Sequence, residues 1–177
     1  MWPIGHGAVA YICYSLSTRS RSDPAPDALA VVLVGLGSQF PDLFDKTLTW
    51  YANVLPAGRS MFHSLLVLIP LVTILYLLAR RRGKAEYGFA FGLGVLSHPL
   101  ADAAPALWGD TNVNFLLWPL LPLDLTEGDP TILELLRSSM SDPYFLVEFL
   151  LLCVALALWR TDGYPGLELV WPSKEPR

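Results

Sequence analysis

The sequence predicts an all-α protein, a multi-pass helical bundle that crosses a membrane about five times. Composition, five long apolar runs and the charges between those runs support this prediction. Of the 177 residues, 53% are hydrophobic and 16% are charged, whereas a soluble domain carries about 25% charged residues. The mean hydropathy is +0.44. The alternative is a soluble helical protein with very apolar core helices.

The five apolar runs cover residues 4–18, 28–45, 63–79, 87–103 and 144–159. A bilayer crossing needs about 20 mostly apolar residues, with a lower limit near 17, so the first, second and fifth runs reach that length only with their polar ends. We expect one transmembrane helical domain over residues 1–160 and a polar C-terminal tail over 161–177. The first run has no basic residues ahead of it, so we expect no cleavable signal peptide.

Basic residues follow the runs in a pattern typical of a multi-pass protein. Nine of the twelve fall on one side of the predicted membrane: Arg19, Arg21, Arg80, Arg81, Arg82, Lys84, Arg160, Lys174 and Arg177. Because cytoplasmic loops carry the excess of Lys and Arg, we expect a cell-membrane protein with its N-terminus outside and its C-terminus in the cytoplasm. The net charge of −4 shows no basic footprint for nucleic acid, which we exclude as a partner.

This topology brings all three histidines and three aspartates to the outer face. They are His6, Asp42, Asp45, His63, His98 and Asp102. An aspartate at membrane depth costs on the order of 3 kcal/mol, so six titratable groups without partners would be prohibitive. Imidazole and carboxylate together suit zinc, iron or manganese, and a bound ion would cancel the charge. The pattern predicts a site for one or two divalent metal ions.

Spacing along the helices supports this convergence. Asp42 and Asp45 are three residues apart and His98 and Asp102 four apart, so each pair shares a helix face. Other roles remain open for single members of the set. An early histidine could lie at the interface, an aspartate could pair with Lys46 or Arg59, and a histidine ahead of a serine could cap a helix.

Two prolines complicate the second and fourth runs. Pro41 and Pro99 disfavour helical geometry in the residue before them. We therefore expect the helices to stop near Phe40 and Ser97, with the metal ligands on the turns that follow. A broken helix at membrane depth is tolerated only where it lines a cavity, which agrees with a site.

An offset of 57 residues relates the two halves of the first four runs. It maps His6 onto His63 and Asp45 onto Asp102, and it aligns two Gly-Leu-Gly segments. We interpret the glycines as helix-packing positions. Hairpins 6–45 and 63–102 are therefore predicted to form an internal repeat that superposes by rotation about an axis along the membrane normal.

The stretch 104–140 contains no clear span. Residues 112–125 are apolar, but Pro119 and Pro122 interrupt them, so they should not cross as a helix. We expect 104–140 to be a re-entrant or interfacial segment over the outer face, with a short amphipathic helix at 131–140.

These elements resemble the YdjM-like family of inner-membrane metal-dependent hydrolases, which is distantly similar in motif to zinc-dependent phospholipase C. The resemblance covers about residues 1–121 and rests on the early His6, Pro41-Asp42-Leu43-Phe44-Asp45, Arg59 with His63-Ser64, His98-Pro99-Leu100-Ala101-Asp102, and Leu117-Trp118-Pro119. The chain departs from the family at Gly58, often a histidine there, and at Phe62, a threonine there. Pro99 is unusual within the family's His-x-x-x-Asp element. The resemblance implies a hydrolase and no particular substrate.

We therefore expect a membrane-embedded metal-dependent hydrolase at the extracytoplasmic face, surrounded by membrane lipids and acting on a lipid or other amphiphilic (phospho)ester. The expected metal ligands are His6, Asp42, His63, His98 and Asp102, with Asp45 as a further ligand or general base and Arg59 as a group that stabilises an oxyanion or phosphate. Zinc is the favoured metal, with manganese or iron as alternatives. Two other classes remain open: a transporter or proton or ion relay that uses the same cluster, and a non-catalytic scaffold that keeps the metal for structure.

Overall fold

The computed structural model describes residues 1–21, 23–109, 112–123 and 143–171, and every regular element in those ranges is helical. The long helices are α1 (Pro3–Ser20), α2 (Ala28–Trp50), α3 (Leu65–Arg81), α4 (Ala85–Ala103) and α5 (Pro143–Thr161), followed by the short α6 (Leu167–Val170). Short 3-10 helices cover Met61–His63, Ala104–Trp108 and Asn114–Leu117. The all-α prediction is confirmed for these ranges, and each apolar run lies largely within one long helix.

Helix α4 is the centre of the bundle. It packs against α2, α3 and α1, while α5 packs on the far side of α1. Small and aromatic side chains fill the core between α1, α2 and α4, namely Ala10, Tyr14, Ala30, Val34 and Ala90. The bundle therefore places one face of α4 against α2 and leaves another between α3 and α1.

The two ends of the bundle differ in charge. At the end where α1, α3 and α5 finish, Arg19 lies 2.6 Å from buried Asp162 after α5, and Arg21 lies 2.9 Å from Glu86 at the start of α4. We call this the basic end. The histidines and aspartates of the predicted site lie at the opposite end, the histidine end. The basic residues after α1 and the predicted site residues therefore lie at opposite ends of the bundle, while the orientation in a membrane stays a prediction.

Among the described residues, α2 is the one helix long and apolar enough to cross a membrane by length and composition. The other long helices have 17 to 19 residues, which is near the lower limit for a crossing. Several also carry polar groups, such as His98 and Asp102 in α4. Five crossings therefore stay a prediction.

The expected helix breaks at Pro41 and Pro99 are wrong. Helix α2 continues through Pro41 to Trp50, and α4 continues through Pro99 to Ala103. A proline inside a helix costs about 3 kcal/mol, but both rings are fully buried and packing between the two helices offsets that cost. The site aspartates and His98 therefore project from continuous helices.

The described part of the segment after α4 folds back over the histidine end. The Ser64 hydroxyl, which also caps α3, donates to the carbonyl oxygen of Trp118 at 2.6 Å. Phe115 is buried, with its ring centroid 6.2 Å from that of His63. The re-entrant or interfacial role expected for 104–140 stays a prediction. The amphipathic helix predicted at 131–140 lies outside the described residues, and α6 occupies part of the predicted polar tail.

Candidate metal centre

Three helices and one short turn bring the six predicted groups together at the histidine end. His6 lies in the first turns of α1, and His63 closes the 3-10 turn immediately before α3. The other groups come from the last turns of two helices: Asp42 and Asp45 from α2, and His98 and Asp102 from α4. All three histidines are 1% exposed or less.

His63, His98 and Asp42 form the first group. The Nε2 atoms of the two histidines lie 3.1 Å apart. Asp42 Oδ1 lies 3.5 Å from the His63 Nε2 and 3.6 Å from the His98 Nε2. Asp102 Oδ2 approaches the same two nitrogens at 3.8 and 4.0 Å. Two nitrogens and the Asp42 oxygen therefore lie close enough to hold one ion, with Asp102 beside them.

The partners behind the two rings fix which nitrogen carries the proton. His98 Nδ1 lies 2.6 Å from the backbone carbonyl of Ser38, and His63 Nδ1 lies 2.8 Å from Asp45 Oδ2. Carbonyl and carboxylate oxygens accept only, so each Nδ1 must be the donor. In the neutral rings the two Nε2 atoms then present lone pairs to each other at 3.1 Å, which is unfavourable unless a cation lies between them.

The donor set fits a divalent ion. Zinc binds histidine nitrogen at about 2.0–2.1 Å and carboxylate oxygen at about 2.0–2.2 Å, so neighbouring ligand atoms around a tetrahedral ion lie roughly 3.3 Å apart. The separations of 3.1, 3.5 and 3.6 Å within the first group bracket that value. The backing of each imidazole by a carboxylate or carbonyl is the usual support of metal-binding histidines.

His6, His98 and Asp102 form the second group. His6 Nε2 lies 3.3 Å from Asp102 Oδ1, and its ring stacks on His98 with centroids 3.7 Å apart and planes at 15°. The 3.3 Å approach lacks hydrogen-bond geometry, and neither ring nitrogen of His6 has a hydrogen-bond partner although both are buried. Such an orphaned imidazole is costly in a folded protein, and a metal ion would satisfy it.

The two groups share His98, which limits how they can be filled. Since its Nδ1 is occupied by Ser38, His98 offers a single nitrogen. One nitrogen binds one ion, so the two groups cannot each hold an ion through His98 at the same time. Asp102 has no such limit because Oδ1 faces His6 and Oδ2 faces the other histidines.

Asp45 lies behind His63 and outside both groups. Its carboxylate accepts the backbone N–H of Ser60 at 2.8 Å and that of Phe62 at 2.9 Å, besides its contact with His63 Nδ1. The side chain is fully buried. This arrangement suits a residue that orients His63 better than it suits a direct ligand or a base.

Arg59 and Asp42 form the accessible side of the cluster. The Arg59 Nε lies 3.0 Å from Asp102 Oδ2, and its side chain is 37% exposed. Asp42 is 14% exposed and also contacts Lys46, whose Nζ lies 2.6 Å from Asp42 Oδ2. A polar ligand can therefore approach from this side, while the histidines behind remain buried.

The surrounding carboxylates control the charge of His63, which lies ahead of α3 in the 3-10 turn. Burial by itself would lower the pKa of His63, but Asp42, Asp45 and the nearby charge of Asp102 outweigh it and raise that pKa above its ordinary 6.5. Without a metal, a proton on His63 Nε2 would relieve the contact with His98. Protons and metal ions therefore compete for the same position.

Two features of the site escaped the sequence. The carbonyl of Ser38 and the backbone amides that hold Asp45 leave no side-chain signature. Glu148 is buried near the start of α5 and accepts the backbone N–H of Trp2 at 3.2 Å. The sequence shows this glutamate as a single carboxylate inside the apolar run of α5. Such a group is costly in a membrane, so it could have been selected as a candidate site residue.

Histidines and carboxylates that converge at one end define a helical protein with a candidate metal centre. The chain belongs to the YdjM inner membrane protein family, whose model matches residues 1–171. The predicted YdjM family is thereby confirmed, and the family description groups the chain with inner membrane proteins. The hydrolase activity and the similarity to phospholipase C stay predictions. No curated protein matches the chain, and no solved structure matches it.

Proposed function

We propose that the protein is a multi-pass membrane hydrolase that holds a divalent metal ion at the histidine end, on the extracytoplasmic side. One observation carries the proposal. The Nε2 atoms of His63 and His98 face each other at 3.1 Å while acceptors behind the rings hold both Nδ1 atoms, so each neutral ring turns a lone pair toward the other. Asp42 and Asp102 supply carboxylate oxygens, and His6 supplies a further imidazole.

Exposed apolar side chains support the membrane setting. Large residues on α3 and α5 are at least 40% exposed, including Leu66, Ile69, Ile74, Leu146, Phe149 and Leu150. A soluble monomer rarely exposes such contiguous apolar surface, whereas lipid accepts it. The positive-inside rule would then put the basic end in the cytoplasm and the histidine end outside.

The residues of the cluster divide the work of hydrolysis. His63, His98 and Asp42 would hold the divalent ion, which would lower the pKa of a bound water and polarise the scissile group. Asp45 keeps the Nδ1 proton on His63 and so keeps its Nε2 free to ligate. Arg59 offers a partly exposed guanidinium that can bind a phosphate or oxyanion. A lipid or other amphiphilic phosphoester is the substrate class, because such molecules reach a site at membrane depth from the bilayer.

A proton or ion relay is the second candidate. The 3.1 Å contact between His63 and His98 and the raised pKa of His63 favour a proton held between two rings. A transporter, however, needs ionisable groups near the membrane midplane with access from both faces. The six groups described above all lie at one end of the bundle, which favours the enzyme.

Metal analysis tests the proposal directly. The detergent-purified parent protein is compared with a His63→Ala/His98→Ala double variant after both are reloaded with zinc or manganese and desalted. We expect the parent to keep about one ion per chain, because the first group contributes two imidazoles and the Asp42 carboxylate, with Asp102 beside them, and the double variant to keep none. Lipid and phosphodiester panels with the metal-loaded parent then test hydrolysis.

A Glu86→Gln variant is the matched control, because this carboxylate contacts Tyr14 and Arg21 at the basic end. It should keep the metal. A parent protein that retains no zinc or manganese after reloading would overturn the hydrolase and leave the relay. Metal that stays bound without hydrolysis of any panel member would favour the scaffold.

A further inference from the structure

An apolar groove runs along α4 on the side away from α2. Its cavity volume is about 590 Å³, within the range of about 300–1,000 Å³ typical of ligand pockets. The floor is a stripe of α4 residues at helical spacing: Gly88, Phe89, Gly92, Leu93, Leu96 and Leu100. Val72 and Tyr76 of α3 form one wall, and Val147 and Leu151 of α5 lie on the other side.

One end of the groove lies next to the candidate metal centre along α4, although none of the six site residues lines it. Ser97 and Ala101 line it, and each is followed directly by a site residue, His98 and Asp102 respectively. Successive residues of a helix point about 100° apart. The last turns of α4 therefore face the groove on one side and the cluster on the adjacent side. A molecule in the groove would have one end beside the metal ligands.

The shape of the groove decides between occupants. Lining residues extend from Gly88 to Ala104, a rise of about 24 Å along the helix. The volume of about 590 Å³ spread over that length makes the groove long and narrow, whereas an α-helix with side chains is about 10–12 Å wide. A single hydrocarbon chain is thin enough to fit.

We propose that this groove binds one acyl chain of a membrane lipid and so presents the lipid's polar end to the His/Asp cluster. The inference rests on the proposed function for its membrane setting and names the substrate class of the same site. The lining is almost wholly apolar, so a polar ligand finds no partner in it. One leaflet of a bilayer is about 15 Å of hydrocarbon, so the groove is long enough for a chain that enters from the outer leaflet.

Photolabelling in vesicles tests the groove. The probe is a phosphatidylethanolamine that carries a diazirine midway along one acyl chain, and the labelled positions are read by mass spectrometry. Helix α3 contains its own control, because Val72 and Tyr76 line the groove whereas Ile74 and Leu78 are exposed elsewhere on the helix. We expect the groove positions to be labelled roughly tenfold more than the controls, which corresponds to about 1.4 kcal/mol of preference.

Filling the groove should abolish this preference. In a Leu96→Trp variant the indole would occupy the middle of the groove, and labelling at Val72 and Tyr76 should fall to the level of Ile74. Leu93→Trp is a second filling variant should the first fail to fold. Leu36→Trp is the matched control, because Leu36 is 60% exposed on α2 and lies outside the groove lining. It should leave the labelling pattern unchanged.

The outcomes separate the two proposals. Equal labelling of groove and control positions in a protein that retains metal would overturn the acyl-chain groove alone and leave the groove to a protein segment or a second copy of the chain. The same experiment on the His63→Ala/His98→Ala variant should still show preferential labelling, because the groove needs no metal. A parent protein that retains no metal while its groove positions are still preferentially labelled would overturn the hydrolase and keep the lipid groove.

Discussion

Gly37 of α2 and Gly94 of α4 each lie against the backbone of the other helix. A Cβ atom on Gly37 would collide with the carbonyl oxygen of Phe91, and one on Gly94 would collide with that of Val34. The contacts are matched by the same offset of 57 residues that relates the two hairpins. They support the internal repeat, which stays a prediction until the hairpins are superposed.

Alanine at either glycine should destabilise the protein. The added methyl has no space at Gly37 or Gly94, and overpacking typically costs about 1–3 kcal/mol. Thermal unfolding in detergent measures the effect. Gly35→Ala is the matched control, since open space lies beside Gly35 and alanine is favoured over glycine in a helix by about 0.5–1 kcal/mol. Equal stability of all three variants would contradict the close crossing.

Asp45→Asn should weaken metal binding while the bundle stays folded. The asparagine amide would place N–H groups against the backbone donors of Ser60 and Phe62, so His63 would lose its orientation. Loss of such a partner typically costs roughly 10–100-fold in metal affinity. Competition titration with a chelating dye measures it. Unchanged affinity would show that Asp45 does not position His63.

Metal affinity should fall as the pH falls. The raised pKa of His63 means that its Nε2 holds a proton up to a pH above 6.5, and a protonated nitrogen cannot ligate. Binding should therefore be strongest well above pH 6.5 and should release protons, increasingly so as the pH decreases. Titrations on both sides of that pH, in two buffers of different ionisation enthalpy, measure this release. Affinity independent of pH would exclude His63 as a ligand.

Arg59→Ala should impair hydrolysis far more than folding. Its side chain is 37% exposed, and without it the buried Asp102 keeps its contacts with the N-terminal ammonium and His6, so the bundle should stay folded. Removal of an oxyanion donor, by contrast, costs roughly 10²–10³ in rate. Arg21→Ala is a matched control, because both side chains are 37% exposed and ion-paired but Arg21 lies at the basic end. Similar rates of hydrolysis for the two variants would show that Arg59 takes no part in the reaction.

Reporter insertions should separate a five-span from a single-span topology. The loop at residues 52–58 follows α2 and leads to the histidine end, while the turn at 82–84 joins α3 to α4 at the basic end. We expect the first insertion outside and the second in the cytoplasm. If α2 alone crosses the membrane, both insertions will report the same side.

The sequence alone was enough to locate the helices and to place the six ionisable groups at the same end of the bundle. Hydrophobic runs locate helices because a helix that is buried or faces lipid must be apolar. The direction of the chain through each helix then determines which end of the bundle a residue reaches. The pairing of His63 with Asp45, and of His6 with Asp102, was not predictable because it depends on the rotation of each helix. The helix breaks expected at the prolines were wrong because that expectation used the local backbone preference alone. It left out the packing of the two buried proline rings.

Each histidine that the offset of 57 residues relates contacts the aspartate of the opposite hairpin. His6 of the first hairpin meets Asp102 of the second, and His63 of the second meets Asp45 of the first. Neither hairpin synthesised alone would carry a complete ligand set. Binding of an ion would thus be a late event in biogenesis, because it requires the two hairpins to be packed against each other.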